Sequence, residues 1–137
     1  MPGFIPDEGE TLLARVIHLR THVDRDADFE LGLFTNVGVG ETITEATITE
    51  PTGAGYARIT LTDASWSISG RESQYTQQTF TGGAGGWTGA VQGYFVCTKS
   101  AGGTKRIVYI EVDPNGPYSI VENDTYKVTP FDTVDDS

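Results

Sequence analysis

Cysteine is almost absent: Cys97 is the only one in 137 residues. No internal disulfide can brace the fold, so its core must hold it. Basic residues are scarce, with nine Lys and Arg against nineteen Asp and Glu, a net charge of −10. That balance argues against a nucleic-acid binder, which needs cations to displace condensed counterions. It argues equally against docking on anionic lipid. Long apolar runs are missing, and none approaches the ~20 residues of a membrane-spanning helix. Met1 to Glu8 contains neither a basic nor an apolar stretch, so no secretory signal is expected. Leucine appears six times.

What is abundant points to strand. There are nineteen Thr, eleven Val and nine Ile, with two Trp, six Tyr and six Phe. β-branched and aromatic side chains fit a pleated, half-buried surface. Seventeen Gly and six Pro supply turns. The length allows one domain with a sizeable core.

The periodicity predicts one helix, over about residues 8–20. Asp7 and Glu10 have capping-box spacing, with Asp in place of Ser or Thr. Leu12, Leu13, Val16 and Ile17 form an apolar stripe behind them. Residues 21–28 read as a polar linker, and strands follow. Phe29, Leu31 and Leu33 alternate with polar or small residues. Residues 42–49 carry Ile43 and Ile48 at an odd spacing, which predicts a bulge or an edge strand. Ala57, Ile59 and Leu61 face inward on one strand, and Trp66 with Ile68 share a face of the next. Phe80 anchors the strand at 75–81. Residues 82–86 are glycine-rich and read as a flexible connection. Residues 87–98 are apolar on both faces, as a central strand should be. Val108, Ile110 and Val112 alternate on another strand, Asp113 to Pro117 form a turn, and short strands are expected near 118–121 and 125–129.

These signals predict an all-β fold. It is an antiparallel β-sandwich or partly closed barrel of about eight short strands, with one short N-terminal helix and over ~35% strand. The expected division is a single domain. Residues 1–27 form an N-terminal arm, helix and linker, residues 28–130 the β-sandwich, and residues 131–137 an acidic tail.

Candidate chemistry is thin. Asp24, Asp26 and Asp28 have the first spacings of a calcium loop, but Phe29 stands where Gly must turn the chain and Thr35 where a bidentate Glu is needed. His18 and His22 are four apart but lack the Glu and third ligand of a zinc site. Both sets read as solvated polar residues, so folding without metal or cofactor is expected. Cys97 lies among apolar residues with no indicated base or cation, and reads as a small buried hydrophobe. The glycine run matches no phosphate loop. Asn123-Asp124-Thr125 reads as a hairpin turn, although it has the form of a glycosylation sequon. No nucleophile, base and orienter can be named together, so no enzymatic activity is expected. Trp66 and Trp87 could instead build a glycan-stacking face, with Trp87, beside the glycine run, the more exposed of the two.

A longer motif series carries a resemblance. Leu31-Gly32-Leu33-Phe34-Thr35-Asn36 is followed by Ile43-Thr44-Glu45 and Gly55-Tyr56-Ala57-Arg58. Then come Trp66, Gln78-Thr79-Phe80-Thr81 and Val91-Gln92-Gly93-Tyr94-Phe95-Val96, and the series closes on Gly116-Pro117-Tyr118 and Val128-Thr129-Pro130. This order resembles that of small β-rich structural proteins of tailed bacteriophages, including capsid decoration, or cement, proteins. The resemblance implies a non-enzymatic virion protein, made in the host cytoplasm and bound to the capsid surface. Its partner would be the major capsid protein or another virion protein. A tail or adsorption component, or a glycan-binding β-sandwich module, is the alternative. Apolar residues in both termini (Phe4, Ile5 and Phe131) are the candidate shell contacts, with identical copies meeting at symmetry axes.

Overall fold

A computed structural model of the chain describes residues 3–11, 28–62, 65–98 and 105–133. The strands in chain order are β1 (Phe29–Phe34), β2 (Thr52–Gly53), β3 (Ile59–Leu61), β4 (Trp66–Ser69), β5 (Glu72–Tyr75), β6 (Gln78–Thr81), β7 (Trp87–Thr88), β8 (Gly93–Thr98), β9 (Ile107–Val112), β10 (Thr125–Val128) and β11 (Phe131–Thr133). Strand makes up 43% of the structure, and among the described residues the sheets are antiparallel with no closed barrel. The main sheet has the order β3-β1-β8-β9, and three smaller sheets have the orders β11-β5-β4, β10-β6 and β2-β7.

Alternation explains the layering. Leu31 and Leu33 of β1, Leu61 of β3, Tyr94 and Val96 of β8 and Tyr109 of β9 project from one face of the main sheet. They meet Tyr75, Phe80, Trp87, Ile120, Tyr126 and Val128 from the smaller sheets, and this is the sandwich core. The Tyr94 hydroxyl ties the layers, bonding both the N–H and the carbonyl of Phe131 at 3.2 Å. β8 is paired on both sides and all six of its residues are buried, which makes it the central strand.

The outer face of the main sheet has its own apolar cluster: Phe34, Phe95, Cys97, Ile107 and Ile110. A bulge builds it. Val96 pairs with Tyr109 while Cys97 pairs with Ile107, so Val108 is an extra residue. The bulge swings Ile107 outward beside Cys97 and sends Val108 towards the sandwich core. Val108 therefore does not share the face of Ile110 and Val112 that strict alternation expects.

The N-terminal segment closes on the same domain. Phe4 exchanges two backbone bonds with Ile110 (2.9 and 3.0 Å), adding one antiparallel bridge outside β9. A short helix, α1, spans residues 7–11. The Pro6 carbonyl accepts from Gly9 and Glu10, so Pro6 holds the cap position and Asp7 is the first helical residue. The rest of the expected helix, the linker, His18, His22, Asp24 and Asp26 lie outside the described residues.

Several local expectations are corrected. Residues 42–49 are not a strand. Thr47 and Ile48 both donate to the Thr44 carbonyl, and this turn carries Ile43 and Ile48 to one face despite their odd spacing. Residues 87–98 divide into β7 and β8, and 118–121 contributes only the bridge between Tyr118 and Val91. The glycine run is pinned: Gly83 donates to Ala54, and Gly82 exchanges bonds with the 123–124 turn. Residues 131–133, expected in the tail, form β11 against β5.

Gly93 opens β8 where no side chain fits. A Cβ there would lie 2.0 Å from the Glu111 carbonyl oxygen and 3.0 Å from the Phe34 ring. Backbone cannot swing aside, so Gly93→Ala should cost about 3 kcal/mol or more, the upper end for overpacking. A urea unfolding midpoint close to that of the parent would contradict this.

Candidate functional site: an ion-paired cluster on the outer sheet face

The densest polar chemistry in the described residues is centred on Arg58, just before β3. Its Nε and Nη2 form a fork on Glu50, at 3.1 Å to Oε1 and 2.8 Å to Oε2. Nη2 also donates to Glu45 Oε1 at 3.0 Å, and Nη1 to Glu30 Oε1 at 3.3 Å and Cys97 Sγ at 3.3 Å. Lys105 Nζ reaches the same Glu30 oxygen at 2.8 Å. The Tyr56 hydroxyl donates to Glu50 at 2.6 Å and accepts from the Leu33 N–H at 3.0 Å. Three carboxylates thus face two cations, leaving one net negative charge.

The sheet itself explains the stacking beneath. Glu30 and Cys97 are directly paired across β1 and β8, and Gly32 is paired with Phe95. A Cβ on Gly32 would lie 2.4 Å from the Phe95 ring, so only glycine lets that ring lie across β1. The guanidinium carbon sits 5.1 Å from the centre of the Phe95 ring, a cation–π contact. Gly32, Phe95 and Arg58 therefore form a column, with the carboxylates as its top layer.

Burial opposes every charge here, and the partners decide the outcome. Desolvation works against the Glu30 carboxylate, but Lys105 and then Arg58 outweigh it and hold its pKa below the ordinary value. Desolvation also opposes the Arg58 charge, but its bonds to Glu50 and Glu45 outweigh this and raise the pKa further. Burial, reinforced by the bond to Glu50, likewise raises the Tyr56 hydroxyl. Cys97 is fully buried, and burial pushes its thiol up to about 12 despite the Arg58 charge beside it. A thiol at that value supplies no thiolate near neutrality. As built, the cluster is a clamp: it fixes residues 45–50 to β1, β3 and β8.

Its members escape sequence reading for a physical reason. Glu30 and Arg58 read as ordinary outward polar positions, Glu45 lies in a segment expected to be a strand, and Glu50 directly follows it. The cation next to Cys97 comes from a residue 39 positions away.

The aromatic candidates are packed. Trp87 is 9% exposed and its Nε1 donates to the Ala54 carbonyl at 3.0 Å. This corrects its expected exposure: the neighbouring glycines let backbone close over the indole. Trp66 is half-buried, edge-on to Phe29 and Tyr75, and its Nε1 is buried without an acceptor. No aromatic residue is fully exposed among the described residues. Acrylamide, which carries no charge for this acidic chain to repel, should therefore quench tryptophan fluorescence weakly in the native protein. Strong quenching would place a ring on the surface.

Phe4, Ile5 and Phe131 are all half-buried on their own domain: Phe4 on the outer cluster, Ile5 on the sandwich core, and Phe131 in β11. Two concavities lie among the described residues away from the ion cluster. One, of about 180 Å³, is lined by Tyr94, Glu111, Asp113, Tyr126 and Lys127 among others. Burial raises the Glu111 pKa there, and Asp113 accepts from the Tyr126 hydroxyl at 2.8 Å. The other, of about 330 Å³, lies along the 36–43 loop. No family model, curated protein or solved structure matches the chain.

Proposed function

We propose that this chain is a non-enzymatic structural protein of a bacteriophage virion, a decoration protein that adds to an assembled shell. The observation that carries this reading is a self-sufficient fold with an uncharged edge strand, β4, that has no strand on its outer side among the described residues. β4 is the outer strand of its sheet, reads Trp-Ser-Ile-Ser, and leaves Ile68 69% exposed on a strongly acidic domain. An edge without charge, proline or bulge is a template for strand addition. A decoration protein must fold before it finds its shell, and the Phe4 bridge to Ile110 pairs with β9 from within the chain. The order of motifs from Leu31 to Pro130 supports the same reading.

In this reading the partner is the major capsid protein, and the protein works at the capsid surface after synthesis in the host cytoplasm. Phe4, Ile5 and Phe131 are engaged at home, so the first contact falls to β4. The test is co-sedimentation of purified protein with phage particles that lack it. Saturable binding at a fixed ratio to the major capsid protein is expected, and Ile68→Lys should weaken it. Binding confined to tails, or to no part of the particle, would overturn the proposal.

A further inference from the structure

We propose that residues 36–50 form an acid-releasable strap over the outer face of the main sheet, with Cys97 beneath it. The inference is independent of any virion role. One face of the main sheet is covered by the smaller sheets, and Phe34, Phe95, Cys97, Ile107 and Ile110 lie on the other. Among the described residues, those packed on them are Phe4, Val112 of β9 itself, and three residues of the strap: Val39, Ile43 and Ile48, each half-buried.

The strap contains no strand, so no ladder holds it. Its ends are fixed by Thr35 N–H on the Thr49 carbonyl at 2.8 Å and by the Asn36 side chain, which bonds the Thr47 carbonyl and the Thr49 N–H. Glu45 in its middle and Glu50 at its end grip Arg58, and a backbone bond from the Asp7 N–H to the Glu41 carbonyl at 2.9 Å adds to them. Glu8 of α1 accepts from the Glu45 N–H at 2.8 Å and the Ile107 N–H at 2.7 Å through a single oxygen. Beyond Asn36, Gly38 has a positive φ of 68° and open space around it, a place where the chain can swing.

The charged and titratable groups facing this contact are Glu30 from β1, Tyr56 and Arg58 before β3, Cys97 from β8, Lys105 before β9, Glu8 from α1, and the strap's own Glu45 and Glu50. Acid acts on them unequally. Arg58 keeps its charge at any accessible pH. Lys105 and Arg58 hold the Glu30 carboxylate below its ordinary pKa. The strap is held by carboxylates on a permanent cation, so acid that neutralises such an acceptor weakens its hold while the cation stays. Acid therefore loosens the strap. Both tryptophans sit on the other side of the main sheet, with the sandwich core, and report its integrity separately.

Cys97 is the chain's single thiol and belongs to the cluster on which the strap residues pack, so its labelling reads access to that cluster. The experiment follows 4,4′-dithiodipyridine, which reacts in acid, between pH near 7 and near 3.5, spanning the carboxylate range. Rates are normalised to urea-unfolded protein at each pH, with tryptophan fluorescence recorded in parallel. Labelling should accelerate about tenfold or more before the tryptophan signal changes, the size expected when one or two charge-assisted bonds are lost. A Glu45→Gln, Glu50→Gln double variant should label near neutrality at close to the acid rate. Three results would overturn the proposal: a flat wild-type rate, a rise that coincides with loss of the tryptophan signal, or a folded double variant as slow as wild type. Should the double variant fail to fold, deuterium uptake by wild-type peptides covering 36–50 decides. Protection relative to the intrinsic exchange rate that falls in acid for 36–50 while that of the strands holds supports the strap, and protection that falls in both alike or in neither refutes it.

Discussion

Arg58→Met should destabilise the protein by about 3–5 kcal/mol, the usual cost of removing one partner from a buried ion cluster. The Arg58 side chain is only 16% exposed, and its loss leaves Glu30, Glu45 and Glu50 close together with Lys105 alone to answer them. Against a typical total of ~5–15 kcal/mol, that is a large fraction of what holds the domain. Lysine at the same place keeps the charge but cannot form the fork on Glu50 or lie flat on Phe95, so Arg58→Lys should recover only part of the loss. Urea titration is the right measurement, because guanidinium salt would screen the ion pairs under study. A variant within ~1 kcal/mol of wild type would mean that the cluster contributes no more than a surface salt bridge.

Phe95→Ala should be comparably severe, at about 3–5 kcal/mol for a fully buried aromatic. Phe95 is 0% exposed, covers the bare backbone of Gly32 and supports the guanidinium. Its removal opens a cavity and lowers the platform of the ion cluster together. A linked variant isolates the packing. Gly32→Ala should cost about 1–3 kcal/mol in the wild type by overpacking, yet little in a Phe95→Leu background, where the clash is relieved. If the two substitutions proved simply additive, the column would not be a packed unit.

The parts of this fold that were legible in the sequence are those where burial follows a strict period. Leu31 and Leu33 alternate in β1, and β8 is apolar on both faces because it is covered on both. The illegible parts depend on distant partners. Nothing local marks residues 42–49 as the cover of a sheet, because the apolar cluster they cover is assembled from β1, β8 and β9. The bulge at Val108 reverses the facing of one residue without changing composition. Glycines at 82–86 read as slack, but Gly82 and Gly86 lie so close to the 120–121 backbone that a Cβ would collide with it. The candidate site suffered most. Glu30, Arg58 and Cys97 come together only through register and a loop crossing, so each alone has an ordinary explanation.

The reciprocal bonds between Phe4 and Ile110 also bear on how the protein behaves in concentrated solution. β9 reads Ile-Val-Tyr-Ile-Glu-Val, a β-prone run with one charge, and such a run on a bare edge is an aggregation hazard. The first few residues act as a gatekeeper for it. Protease trimming after Pro6 would remove Phe4 from the β9 flank, and Ile5 from the sandwich core with it, and light scattering of clipped material should rise with time while intact protein stays clear. On that expectation, the strand contact made by Phe4 keeps this flank from pairing with another copy.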